Sequence, residues 1–294
     1  MGTNPKVTVP QIRARKGGEK ITMVTAYDHP SASIASAAGI DIILVGDSVA
    51  NVVHGMESTL EVDLEVMIVH ARAVQRARPH SLVVVDMPWM SYHTTPEDAV
   101  RNAGRLVREG GAEAVKLEGG EKRLPVLERI LDAEIPVMGH LGLTPQSVHA
   151  MGGYRVQGRL PDEARQLIGD ARALDRAGVF AIVLEGIPDV LARVITQEVA
   201  VPTIGIGAGP ATDGQVLVFH DLLGLGDGHR PKFVRTYADL RSAAIEALRR
   251  YAEDVKGGGF PGEAETYHGS ADLVVALEEV ESSAGKLRSV SSSS

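Results

Sequence analysis

Seven apolar runs punctuate this chain, and each gives way to a polar or glycine-rich signature. They lie at 21–26, 41–46, 82–86, 113–117, 135–139, 179–184 and 202–206, with a weaker eighth candidate at Leu222 to Leu225. Rich in Val and Ile and without polar alternation on either face, the runs read as parallel strands buried on both sides. Between them lie helical patterns such as PEDAVRNAGRLVREG, which is capped by Thr95, opened by Pro96 and closed on Gly110. Strands alternating with helices require a parallel sheet. Over 294 residues, eight such units close more naturally into a (βα)8 TIM barrel than into an open sheet.

A barrel of this kind gathers its chemistry at the carboxyl ends of its strands. Asp47 follows IILVG, Asp86 ends SLVVV, and Glu118 follows AVKL. Any one such acid is more often a solvated strand-end residue, but three on separate strands make a hard-cation site. An all-oxygen set with no Cys and no block of His favours Mg²⁺ over Zn²⁺. Lys116 stands two residues before Glu118, and the period of two puts both on one strand face. Its candidate tasks are balancing buried acids or holding a substrate carboxylate. An inner-barrel ion pair and a Schiff base are the alternatives. Glu185 ends FAIVL ahead of Gly186-Ile187-Pro188, where it suits a base taking a proton from carbon next to a carbonyl. Spacing alone leaves a structural role equally open. His140 after IPVMG shares this face, and Ser48 beside Asp47 can donate to a bound anion. Tyr27-Asp28 ends the first run. The GIGAG of 205–209 either resembles the phosphate loops of barrels or lets backbone approach a neighbour.

Composition narrows the partners. A net charge of -8, with 30 Lys+Arg against 38 Asp+Glu, argues against nucleic acid, and 4% aromatics offer no stacking platform. No apolar stretch reaches the ~18 residues of a membrane span, and MGTNPKVTVPQIRARKGGEK has no apolar segment of a secretory signal. The absence of Cys removes disulfides and thiolate chemistry and fits a reducing, cytoplasmic setting. A small molecule is the expected partner. Residues 1–20 read as an arm, 21–256 as the barrel, and 257–294 as an extension whose SVSSSS end has a disordered composition. Within it, 271–282 form an amphipathic helix expected to pack on the body or on another subunit. The loop of 144–160 and the stretch NVVHGMESTLEVD after Asp47 are irregular, and both are expected on the active face, the first as a lid or rim.

The series TAYD, VGDS, VVDMP, VKLEGG, GHLGLTPQS, GGYRVQGR, LEGIP, GIGAG with DGQVLV, and PKFV resembles the ketopantoate hydroxymethyltransferase family, in order and spacing, over residues 5–268. The resemblance implies a barrel of the phosphoenolpyruvate/pyruvate type, assembled as a decamer of two pentameric rings. It implies that Asp47, Asp86 and Glu118 hold Mg²⁺, that Asp47, Ser48, Asp86 and Lys116 contact a 2-oxo acid, and that Glu185 is the base. His140 is expected among the substrate-binding residues. The one-carbon donor it implies is 5,10-methylenetetrahydrofolate. One departure stands out: the family's DMPFGSY is Asp86-Met87-Pro88-Trp89-Met90-Ser91-Tyr92 here, so Met90 occupies a glycine position. A lyase of the isocitrate lyase or phosphonomutase kind would share a metal and an enolate, but the isocitrate lyase kind carries a catalytic Cys. A non-catalytic barrel would need a disabled site, whereas every matched acid, Lys116 and His140 are present.

Overall fold

Alternation along the strands sorts the apolar residues into two layers. Met23, Ile42, Leu44, Val84, Met138 and Val183 belong to the cluster that fills the inside of the sheet, while Val24, Ile43, Val45, Val83, Val85 and Val115 pack with the surrounding helices. The computed structural model describes residues 5–226, 228 and 231–280. Its strands are β1 (Ile21–Thr25), β2 (Ile42–Val45), β3 (Leu82–Asp86), β4 (Ala114–Glu118), β5 (Val137–Gly142), β6 (Ala181–Glu185), β7 (Thr203–Ile206) and β8 (Gly214–Leu217). They form a closed barrel of parallel neighbours, with β8 returning to pair with β1 from Ile21–Gly214 to Val24–Leu217.

The eighth strand is not where the apolar pattern put it. Leu222 ends a short helix, Phe219–Leu222, and Leu225 lies in irregular chain beyond it. The strand itself, GQVL, has an exposed Gln215 and a glycine, so it lacks an apolar run. Gly214 is required by contact: a Cβ there would lie 2.5 Å from the carbonyl oxygen of Ile21. Other boundaries shift slightly, and β4 and β5 extend to include Glu118 and His140. The helix Pro96–Gly110 has its Thr95 cap, whose hydroxyl accepts from the Asp98 amide, but the left-handed closing residue is Gly111.

The N-terminal segment carries a short helix, Val9–Arg13, whose Ile12 is fully buried in the inner cluster with Ile21, Leu82 and Phe180 at the start of the strands. It therefore plugs the end of the barrel remote from the acids. The chain divides into two compact units, Met1–Asp239 and Leu240–Ser294, a division that falls within the 21–256 span expected for the barrel. The second unit contains the helix Leu240–Gly257 and helical residues 271–280. Residues 281 and 282 of the expected helix, and the SVSSSS end, lie outside the described residues. Among the described residues no helix is long and apolar enough to cross a membrane.

Candidate active site

The barrel mouth brings together the seven side chains expected to bind substrate or metal or to act as the base. Asp47, Ser48, Asp86, Lys116, Glu118, His140 and Glu185 line one cavity of about 190 Å³. Asp47, Asp86, Lys116, Glu118 and His140 are each buried, whereas the Glu185 side chain keeps 17% exposure and reaches open space. Leu44, Val183, Ile206, Val216 and Leu217 form an apolar wall. The cavity is thus lined by acidic and by apolar side chains together.

Register explains the convergence. Lys116 pairs with Asp86 across β3 and β4, and Glu118 with His140 across β4 and β5. Lys116 Nζ lies 2.7 Å from Asp86 Oδ1, and the Asp47 amide donates to Asp86 Oδ2 at 3.1 Å. His140 bridges two acids, with Nδ1 3.3 Å from Glu118 Oε1 and Nε2 3.1 Å from Glu185 Oε2. Gly142 permits the approach of β5 to the end of β6, since a Cβ on it would sit 2.2 Å from the Glu185 carbonyl oxygen. Ser48 Oγ is hydrogen-bonded to the buried Tyr27 hydroxyl at 2.8 Å, so the first strand also serves the site. Asp28 is spent elsewhere, capping the helix His29–Ala37.

The field is dominated by crowded acid. Burial first, and then Asp86 and Glu118, push the Asp47 carboxyl up to about 8. Burial opposes the charge on Lys116, but Asp86, Glu118 and Asp47 hold it above the ordinary lysine range. Burial and Lys116 likewise oppose the charge on His140, yet its contacts to Glu118 and Glu185 prevail and raise it to about 9. Lys116 is therefore a counter-charge. A charged ammonium is a poor imine former, which disfavours the Schiff-base alternative.

Asp47, Asp86 and Glu118 suit a hard divalent cation by donor type and by charge. Four acidic side chains, counting Glu185, share the cavity with Lys116 and His140, and burial and their crowding push Asp47 up to about 8, so the site is short of positive charge. As the side chains stand, Asp86 faces Lys116 and the Asp47 amide, Asp47 Oδ2 accepts from Gln146, and Glu118 lies between the Gln146 amide and His140. Among the described residues no group of three or more His, Asp and Glu has the mutual placement of a metal cluster.

Two loops complete the mouth. Residues 144–160 contribute Pro145 and Tyr154, and the Gln157 amide ties this loop to the Gly186 carbonyl at 2.9 Å. The stretch after Asp47 contributes Asn51 and Thr59. The GIGAG glycines serve close packing: a Cβ on Gly209 would meet that of Asp189 at 2.5 Å. Sequence reasoning missed Tyr27, Tyr92 and Gln146. The GHLGLTPQS and TAYD motifs contain two of them, but nothing in spacing says that Gln146 reaches Asp47 or that Tyr27 reaches Ser48.

A family model described as ketopantoate hydroxymethyltransferase matches residues 6–263. The chain belongs to the ketopantoate hydroxymethyltransferase family. It is 58% identical over 262 residues to a 3-methyl-2-oxobutanoate hydroxymethyltransferase of Moorella thermoacetica, covering 89% of this chain and 97% of that one. Membership makes it an enzyme of the transferase class and favours hydroxymethyl transfer over the lyase and non-catalytic readings. The fold extends further. A 2,3-dimethylmalate lyase of the PEP mutase/isocitrate lyase superfamily superposes with a TM-score of 0.55 at 18% identity, covering 96% of this chain and 95% of that one. A phosphonopyruvate hydrolase complexed with oxalate and Mg²⁺ gives 0.58 at 16%, covering 97% and 98%. At those identities the likeness is one of fold, and it matches the phosphoenolpyruvate/pyruvate type of barrel.

Proposed function

We propose that this ketopantoate hydroxymethyltransferase family member transfers a hydroxymethyl group from 5,10-methylenetetrahydrofolate to 3-methyl-2-oxobutanoate, giving 2-dehydropantoate for pantothenate and coenzyme A biosynthesis. The observation that carries this reading is the meeting of all seven expected side chains on one small cavity that also has apolar lining. About 190 Å³ suits a short branched 2-oxo acid, with its carboxylate and keto oxygens at the polar side chains and its alkyl group against Val183, Ile206 and Val216. A whole folate exceeds that volume, so its one-carbon unit enters from the mouth.

Asp47, Asp86 and Glu118 are the residues that would hold Mg²⁺, which when bound supplies Lewis-acid stabilisation of negative charge at the keto oxygen. Lys116 holds the substrate carboxylate, together with Ser48 kept in place by Tyr27. Glu185 takes the C3 proton, with His140 Nε2 3.1 Å from its carboxylate. Water adds to the methylene carbon of the donor as its two C–N bonds break, C3 so freed forms its bond to this one-carbon unit, and the oxygen from water becomes the hydroxyl. One water is consumed, the new C–C bond carries the hydroxymethyl group, and tetrahydrofolate leaves. The reading includes a cytoplasmic homodecamer, which rests on the family resemblance alone.

Deuterium exchange at C3 of the oxo acid, followed by NMR with Mg²⁺, tests it. Glu185→Gln is expected to lose exchange by about 10²–10⁴-fold while oxo-acid affinity stays within a few-fold. Retained exchange in that variant would take Glu185 out of the base role.

A further inference from the structure

Gln146 has no part in the roles just given, yet it joins three strand ends. It sits in the turn Pro145–Ser147 beyond β5 and is 6% exposed. Its Nε2 donates to Asp47 Oδ2 at 2.9 Å and to the Met87 carbonyl at 3.0 Å, so both amide hydrogens are used. Its Oε1 accepts from the Tyr92 hydroxyl at 2.6 Å, and its backbone amide donates to Glu118 Oε2 at 3.0 Å. Tyr92, fully buried, accepts in turn from the Glu118 amide at 3.2 Å.

The chemistry allows one orientation of this amide. Turned over, it would aim Oε1 at two acceptors, a carboxylate and a carbonyl, and leave both unsatisfied. Tyr92 reinforces that orientation by donating to the oxygen side. A buried amide that finds all its partners far away in the chain is costly to assemble as a core filler, because a half-satisfied network is worse than an apolar one. One of those partners, Asp47, is a carboxylate of the cation set, and the backbone amide of Gln146 holds a second, Glu118.

We propose that Gln146 is a positioning residue, clamped by Tyr92, which engages one oxygen of Asp47 and one of Glu118 and so turns their other oxygens toward the divalent cation and the oxo acid. The inference rests on the cation-binding role given above to those acids. Partners of this kind, which orient a ligating carboxylate, typically control metal affinity by about 10–100-fold.

Binding of Mn²⁺ to the full-length protein, read by electron paramagnetic resonance without substrate, is the test. Gln146→Met, which keeps the side-chain length and the backbone bond to Glu118, is expected to weaken Mn²⁺ binding by about 10-fold or more. Tyr92→Phe is expected to weaken it several-fold, and to add little in the Gln146→Met background because it acts through Gln146. At saturating Mn²⁺ the exchange rate should return toward the wild-type value. A purely structural role would lower the melting temperature and leave Mn²⁺ affinity unchanged, and that result in both single variants overturns the proposal. Should Gln146→Met fail to fold, Tyr92→Phe decides alone. A wild-type protein that binds no Mn²⁺ would overturn the cation reading itself, whereas a binding wild type with equally competent variants overturns only the role of Gln146.

Discussion

Met90 shows how one substitution leaves its mark on backbone. The resemblance places glycine at this position, and the chain has kept the glycine conformation with a side chain attached, at φ 67. The left-handed region costs an L-residue about 1–2 kcal/mol. Glycine would relieve that and give back about 0.5–1 kcal/mol in lost unfolded-chain freedom. The side chain is 47% exposed, and the Met90 amide bond to His93 Nδ1 at 3.2 Å is independent of it. Met90→Gly should therefore raise stability by about 0.5 kcal/mol, read as a higher urea midpoint. An unchanged or lower midpoint would mean that Met90 packing offsets the strain. At this scale the strand-end residues were legible because each follows directly on an apolar run. Gln146 was not, since its contacts span 99 residues to Asp47 and 54 to Tyr92. Side-chain reach of that kind has no local signature.

Among the elements, β8 is the instructive failure. Strand identity there comes from neighbours: β7 and β1 pair with Gly214 and Gln215 on either side, and tertiary pairing overrides a weak apolar pattern. Asp213, just before it, fastens the junction. Its Oδ1 accepts from the Gly17 amide at 2.9 Å, and its Oδ2 from Lys16 Nζ at 2.9 Å and the Thr203 amide at 2.8 Å. Burial alone would raise this carboxyl, but the Thr203 and Gly17 amides and Lys16 hold it below the ordinary carboxylate range. A folded-state value below the unfolded one means the stabilisation is full above the unfolded pKa of about 3.9 and fades as pH falls through the folded value. Asp213→Asn should cost about 1.5–3 kcal/mol at pH 6. The gap to wild type should narrow as pH drops below about 4. Denaturant titrations at pH 6 and pH 3 check this, and a gap of equal size at both would mean the carboxylate charge contributes nothing.

On the scale of the whole molecule, the barrel spends stability at its mouth. Inner layers of Val, Ile, Leu and Met and the Ile12 plug build a rigid frame, and the frame holds Asp47, Asp86 and Glu118 close together out of water. Fold class was legible because period and punctuation are local. The conflict among the acids was not, because it exists only once the strands close. Without a cation that conflict opposes folding, a cost typical of functional sites. Above about pH 8, where the Asp47 carboxyl is ionised, Asp47→Asn keeps an acceptor for Gln146 and removes one charge, so in chelator the variant should be more stable than wild type by on the order of 1 kcal/mol. With Mg²⁺ at about 100 times its dissociation constant, wild type should gain about 2.7 kcal/mol by mass action and the variant little or none. The order of melting temperatures should therefore reverse on adding Mg²⁺. If Asp47→Asn is already the less stable protein in chelator, the carboxylates are not in conflict, and the charge deficit that supports a cation at this mouth is gone.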